Sequence, residues 1–262
     1  MLLVNKNGIL FFRFSNFSGF AEINHGIFTR NQGCSDGPFR SLNVGAGVGD
    51  DIDRVRANRH MIARLCGGGE LFFLNQVHGR GVAVIKGRDN GLSGIAMDGG
   101  LAGDAVITDI PGLNLVIQVA DCQAVLMYDP IRKVVANVHS GWRGSIQNII
   151  GATILKMQQR FCTAPCDIIA GIGPSLGPCC AEFVNYKSEI PDSFRKYQDT
   201  GNYFDFWSAS YDQLCDAGVL KENISIASIC TKCNADLFFS YRRAGTTGRF
   251  AAVIGLEQIG TG

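Results

Sequence analysis

The stretch "VIQVADCQAVLMYDPIRKVVANVHSGWRGS", Val116 to Ser145, decides how the chain folds. It opens on an apolar strand that ends at Val119-Ala120. Asp121-Cys122 break it, and a second apolar run follows over 123–128. "YDPIRK" carries the Asp-Pro signature of a turn. A third run, 134–139, then closes a hairpin over 123–139. This last strand ends in His139 and passes straight into Gly-Trp-Arg-Gly. Strand ends are where a rigid scaffold presents reactive groups. Past the loop, Ile146, Ile149, Ile150, Ile154, Met157 and Phe161 recur at steps of three and four, which predicts a helix over 144–161.

Outward from this centre the same alternation continues. Short strands or edges are expected at 9–14, 19–23, 26–29, 71–77, 82–86, 104–108 and 113–120, with closing strands at 224–230 and 249–256. "CDIIAGIGPSLGPCC" reads as a strand leading into a Gly/Pro turn. "IDRVRANRHMIARLC" reads as a helix capped by Asp50 or Asp51, and 180–190 and 208–217 also read as helical. Between 30 and 51 the chain is Gly-rich and polar, and a loop that long inside a compact domain tends to be functional. There is no repeat and no linker. Strands, helices and a hairpin together predict an α/β or α+β sandwich in a single domain, 1–262.

With 46% hydrophobic and 18% charged residues, a chain of 262 residues can bury a substantial core. The net charge of +1, with no Lys/Arg run, argues against nucleic acid or an anionic membrane as partner. No stretch reaches the roughly 18 apolar residues needed to span a bilayer. Lys6, Asn7 and Arg13 interrupt the N-terminal apolar pieces, unlike a secretory signal. These features predict a cytoplasmic protein whose ten cysteines are reduced.

Histidine is scarce, with His25, His60, His78 and His139 in all. His60 lies on the first helix beside Arg59 and Arg64 and reads as solvated. His78 ends "LFFLNQVHGR", which repeats the pattern around His139: apolar strand, His, small residues, then Arg. Cys122 stands at the strand break, although free cysteine also serves as core filler. His78, Cys122 and His139 form a chemically sensible zinc set, because imidazole and thiolate both suit Zn²⁺ and three ligands leave a position open. The competing reading makes Cys122 a nucleophile with His139 as base and Asp121 or Asp104 orienting it. Arg143, Arg242 and Arg243 are candidates for binding an anion, since guanidinium matches phosphate geometry. "GAGVGDD" lacks the Lys-Ser/Thr of a phosphate loop. Cys162/Cys166 and Cys230/Cys233 have spacings that a zinc knuckle uses, but they lie far apart and read as ordinary thiols. The adjacent Cys179 and Cys180 read as structural, being poor joint ligands for one zinc.

Taken in order, the motifs resemble the YfiH-like family, described variously as polyphenol oxidase (laccase), purine nucleoside phosphorylase with adenosine deaminase activity, and peptidoglycan editing factor. The resemblance runs through "HGIFTRNQGCSDGPFRSLNVGAGVGDD", "NQVHG", "GDAVITDIPGLNLVIQVADC", "DPIRKVVANVHSGWRGS", "GIGPSLGPCCAEF" and "FFSYRRAGTTGRFAAVIGL". It implies an α+β layered sandwich with mixed β-sheets flanked by helices, related to toxin deamidases that use a cysteine and a histidine. It implies His78, Cys122 and His139 as metal ligands, with Trp142 and Arg143 shaping the pocket. One departure stands out: an apolar residue and then Pro often follow Ala-Asp-Cys in the family, where this chain has Gln123 and Ala124.

The expectation that follows is a zinc-dependent purine nucleoside phosphorylase acting on adenosine, inosine or methylthioadenosine, with adenosine deamination as a second activity. Arg143 and Arg242 would bind phosphate. Asn43, Gln76 and Asp104 would contact ribose or base, and Asp104, Asp121 and Arg143 are the catalytic candidates. Two alternatives use the same residues: amide hydrolysis in a peptidoglycan precursor, and copper-dependent phenol oxidation. A multi-copper mechanism needs many more imidazoles than this chain has.

Overall fold

The computed structural model describes residues 1–86, 100–199 and 201–258. Two mixed sheets of six strands each stack face to face. The first is built from β1 (Leu2–Lys6), β2 (Ile9–Arg13), β3 (Ile23–Phe28), β4 (Glu70–Phe73), β7 (Leu113–Val119) and β12 (Phe250–Leu256), in the order β1-β2-β3-β12-β7-β4. The second holds β5 (Val82–Ile85), β6 (Ala105–Thr108), β8 (Gln123–Asp129), β9 (Val134–Ser140), β10 (Ile169–Ile172) and β11 (Ile224–Ile226), in the order β11-β10-β8-β9-β6-β5. The helices are α1 (Ile52–Leu65), α2 (Trp142–Ile146), α3 (Ile149–Phe161), α4 (Tyr186–Glu189), α5 (Phe206–Asp216) and α6 (Tyr241–Ala244).

Each layer follows from where the apolar residues face. Leu115, Ile117 and Ile254 of the first sheet meet Leu126, Tyr128 and Val135 of the second in the central core. On the outer face of the second sheet, Val125, Met127 and Val138 pack on Ile150, Ile154 and Met157 of α3. On the outer face of the first, Phe73, Val116 and Val253 pack on Ile62 and Leu65 of α1. Strands β7, β8 and β9 are therefore covered on both sides. This is why they read as near-continuous apolar runs rather than as alternating ones. The result is an α+β layered sandwich. Among the described residues, no helix is long and apolar enough to cross a membrane.

The break at 120–122 is a change of sheet. The chain leaves the first sheet at Val119 and enters the second at Gln123, so Cys122 sits at the seam between the two. The 123–139 hairpin forms, with Ala124 opposite His139 in register. Asp51 caps α1 by accepting from the amides of Asp53 and Arg54, while Asp50 accepts from Ser35 and Asn43.

Several elements differ from expectation. The predicted helix over 144–161 is two helices, because Asn148 turns left-handed (φ +55°) and caps α3 through Gly151 N–H. Asn competes for backbone donors and favours such a cap over a helix interior. Residues 19–22 are turns, and the strand begins at Ile23. Over 180–190 only the single turn of α4 is helical, and β11 stops at Ile226. The hairpin joining β1 and β2 turns on Asn7-Gly8, both with positive φ (+54° and +84°), the Asn-Gly signature of a tight hairpin.

His25 on β3 is a packed ring: its Nε2 accepts the Phe14 amide at 3.0 Å, and Phe17 lies against it. Burial, with Arg13 nearby, lowers its pKa to about 4. It is thus neutral in the folded chain and protonated in the unfolded chain between about pH 4 and 6.5, so stability falls as pH drops through that window. Two to three pKa units correspond to roughly 3 kcal/mol. Urea unfolding at pH 7 and pH 4.5 should show a smaller acid loss for His25→Gln than for wild type. An equal loss would remove His25 from the account.

Candidate metal centre

Three chain segments bring His78, Cys122 and His139 together. His78 follows β4 in a short loop and adopts φ +58°. Cys122 lies at the sheet crossover, just after Asp121 with φ +86°. His139 is the penultimate residue of β9. A left-handed backbone at a non-glycine residue costs about 1–2 kcal/mol. Two such residues flank this one site, and the surrounding packing holds them there. The ligand atoms of the three side chains all lie within 4.8 Å of one another. The His78 and His139 rings meet edge to face at 4.8 Å. A Cβ on Gly141 would stand 3.2 Å from both Cys122 Sγ and His78 Cδ2, closer than most side-chain contacts, so glycine here leaves those two side chains room.

Asp104 sets this arrangement from behind. It is fully buried, and its Oδ1 accepts His139 Nδ1–H at 2.8 Å and the His78 amide at 2.9 Å. Its Oδ2 accepts the Gly79 amide at 2.6 Å. The carboxylate thus orients one imidazole and holds the turn that carries the other. A carboxylate that accepts the far ring N–H of a metal-ligating histidine fixes the ring's tautomer. Asp104 lies behind the two histidines and is not among the residues that line the cavity.

The electrostatics couple the group. Burial pushes the Cys122 thiol up, but the charge and hydrogen bond of His139, and then His78, outweigh it and bring the thiol down to about 6. Burial lowers His139, while the Cys122 thiolate and the Asp104 carboxylate raise it to about 9. Without a cation the three groups form a carboxylate–imidazolium–thiolate chain. A soft anionic sulfur beside two imidazoles is a donor set that suits Zn²⁺ or copper.

A cavity of about 730 Å³ opens over these residues, lined by the Gly-rich loop (Gly45, Gly47, Val48), the crossover, and the segments around 175 and 241. Asp121 joins its walls: Leu176 N–H donates to its carbonyl, the Thr231 hydroxyl to Oδ1 and the Arg242 amide to Oδ2. Arg143 lines the cavity and stacks on Trp142 at 4.3 Å. The Arg242 guanidinium donates to the Glu182 carbonyl and lies 5.6 Å from the Phe183 ring. Gln76 also lines the cavity, but its amide pairs with the backbone of Gln118. Asn43 is fully buried, and its side-chain oxygen accepts the backbone amides of Gly45 and Arg249, so it shapes the loop. Gln123 turns its amide to Ser210 and the Phe206 carbonyl, anchoring α5.

One residue was missed. Arg249 lines the cavity, half-buried beside Cys122 and Asp121. Burial lowers its pKa, and the negative charge of Cys122 and Asp121 opposes that. Its signal was an arginine directly before a closing strand, the same strand-end placement that marked the histidines.

Residues 24–257 match the family described as "Multi-copper polyphenol oxidoreductase laccase". The "Purine nucleoside phosphorylase YlmD" of Geobacillus stearothermophilus is 36% identical, over 91% of this chain and 92% of that protein. The "Purine nucleoside phosphorylase" of Bacteroides thetaiotaomicron is 33% identical, over 94% and 96%. The chain belongs to the YfiH-like family. The crystal structure of YlmD from Geobacillus stearothermophilus superposes with a TM-score of 0.86 at 33% identity, covering 98% of this chain and 99% of that one. Membership in the YfiH-like family thus agrees with the two mixed sheets described above.

The Asp104–His139–Cys122 chain has a measurable consequence. In chelator-treated protein, peptide-resolved alkylation should give Cys122 a half-maximal rate near pH 6. In Asp104→Asn the imidazolium loses its carboxylate, so the Cys122 midpoint should move up. An unchanged midpoint would show that Asp104 does not govern the pair.

Proposed function

We propose that this chain is a metal-dependent purine nucleoside phosphorylase, with zinc held by His78, Cys122 and His139. The observation that carries the reading is the convergence of these three ligand atoms at a cavity that is also lined by three arginines. Its volume, about 730 Å³, is in the range of small-molecule sites and admits a nucleoside with phosphate. The names of the relatives support the same reading. When bound, a divalent cation supplies Lewis acidity beside the substrate. Deamination of adenosine is the second activity in this reading.

The chain's own residues supply the rest. In phosphorolysis a phosphate oxygen attacks the anomeric carbon, the C–N bond breaks, and its electrons leave with the purine. Phosphate must therefore be held close and partly stripped of water. Arg249, partly withdrawn from solvent, is the anchor, and the more exposed Arg143 and Arg242 gather the anion at the rim. The Trp142 and Phe183 rings, in edge contact at 5.9 Å, offer apolar surface to the base. Asp121 fixes the Arg242 backbone and Thr231, and Asp104 acts through the histidines. Both are positioning residues in this reading.

One observation favours a second reading. The Asp104–His139–Cys122 order is also that of an activated cysteine nucleophile, which fits amide hydrolysis of a cell-wall precursor. Copper-dependent phenol oxidation has less behind it. Of the four histidines, His25 is a packed ring and His60 is exposed on α1, which leaves too few imidazoles for a multi-copper cluster.

Chromatography of adenosine with phosphate should yield adenine and ribose 1-phosphate with wild type and neither with Cys122→Ala. No turnover by wild type that carries its metal, together with an acyl adduct trapped on Cys122, would favour the hydrolase. Arg249→Gln should raise the KM for phosphate about tenfold or more, the loss of one charge-assisted contact of 1.5–3 kcal/mol. Gly141→Ala should fold normally but retain less metal at this site; full retention would mean the glycine is not needed for clearance.

A further inference from the structure

Far from the histidines in sequence, a second cluster assembles that the reaction does not use. Cys179 and Cys180 lie on the loop after β10, and Cys230 and Cys233 on the loop after β11. The four sulfurs all lie within 4.8 Å of one another. We propose that Cys179, Cys180, Cys230 and Cys233 form a second metal site, a tetrathiolate site for a thiophilic divalent cation, zinc by its chemistry, that clamps these two loops together.

Geometry is the first argument. Cys233 Sγ stands 3.8 Å from Cys179 Sγ and 3.6 Å from Cys180 Sγ. Four sulfurs about 2.3 Å from a tetrahedral zinc are separated by about 3.8 Å. The adjacent pair is brought into range by the turn in which the amides of Cys180 and Ala181 both donate to the Gly177 carbonyl. That turn overrides the objection that neighbouring cysteines make poor joint ligands. Cys162 and Cys166, whose spacing also suggested a knuckle, are exposed and outside the cluster.

Packing does not explain the cluster. A cysteine that fills core is buried, whereas Cys179 and Cys233 are exposed and Cys180 is only partly covered. All four cysteines are free thiols. The surroundings also suit a thiolate cluster. Backbone amides of Gly177 and Cys233 point at the Cys230 sulfur. A tetrathiolate around a divalent cation is a dianion. Lys232 lies between the paired cysteines, Arg243 donates to the Lys232 carbonyl, and Arg242 to the Cys180 carbonyl. An all-sulfur donor set selects zinc over harder cations.

The clamp reaches the cavity. Both loops it joins hold Asp121, one through Leu176 N–H and the other through the Thr231 hydroxyl. The carbonyls of Cys180 and Glu182 hold the Arg242 guanidinium. A cation here would fix the wall that carries Asp121 and Arg242 without touching substrate.

The test is a metal count on full-length protein purified under reducing conditions, with cobalt as spectroscopic probe. Wild type should carry about two zinc equivalents, and Cys122→Ala about one. Cobalt-reconstituted Cys122→Ala should show the intense sulfur-to-metal charge-transfer bands of four thiolates, and Cys122→Ala with Cys230→Ser/Cys233→Ser added should lose them. The Cys122→Ala reading keeps all four clamp cysteines, so it stands even if the double variant fails to fold. A wild-type count of about one that falls to zero in Cys122→Ala overturns the clamp and leaves the His/Cys/His centre standing. A count of about one that survives in Cys122→Ala supports the clamp and removes the metal from the proposed reaction. A disulfide within the tetrad in protein kept anaerobic throughout also overturns it.

Discussion

The buried carboxylate of Asp104 is the constraint on which the site depends. A charge with no access to water must be satisfied by hydrogen bonds. It finds them in the His78 and Gly79 amides and in His139 Nδ1. Those partners belong to a loop after one sheet and to a strand of the other. Satisfying one buried anion therefore docks the two sheets at this end and aims both imidazoles at Cys122. The same anion raises the basicity of His139, which in turn holds the Cys122 sulfur as a thiolate. Fold and reactivity rest on one set of bonds.

The seam between the sheets explains why the site is there. Inside either sheet, backbone groups are consumed by the ladders and side chains by the core. At 119–123 the chain changes sheet, the ladder is interrupted, and Asp121 takes a left-handed backbone. The segments from 173–183, 229–234 and 240–249 close over that gap, and their polar groups converge on Asp121 and the cavity. The cavity is thus the space that two stacked sheets leave where one strand crosses between them. Of its arginines, Arg143 comes from the start of α2, and Arg242 and Arg249 from the segment that closes over the gap before β12.

Much of this was legible along the chain. Strands β7 to β9 declared themselves as continuous apolar runs, because they are covered on both faces. The Asp-Pro turn fixed the hairpin, and the Asp50-Asp51 pair announced α1, with Asp51 the one that caps it. Other features carried a signal that a periodicity reading passes over: Asn7-Gly8 for the first hairpin, and Asn148 as a cap that splits an apparently continuous helix. Arg249 is of the same kind. Asn43 and Asp104 were recognised as polar residues of interest, but whether each faced a ligand or the backbone depended on burial, which spacing does not encode.

By itself the sequence's local patterns, its apolar runs, turn dipeptides and polar side chains placed where a strand must stop, gave an α/β or α+β sandwich and singled out His78, Cys122 and His139. The resemblance to the YfiH-like family narrowed the first to α+β layering and named the three residues as ligands. Only the tertiary structure decided that Asp104 stands behind His139 and that Gly141 lies against Cys122 and His78. It alone gathered Cys179 and Cys180 with Cys230 and Cys233. Each of these is a meeting of residues tens of positions apart, set by how two sheets stack and how their loops fold back over one seam. Distance in space between such residues is a property of packing, and no local pattern of residue types carries it.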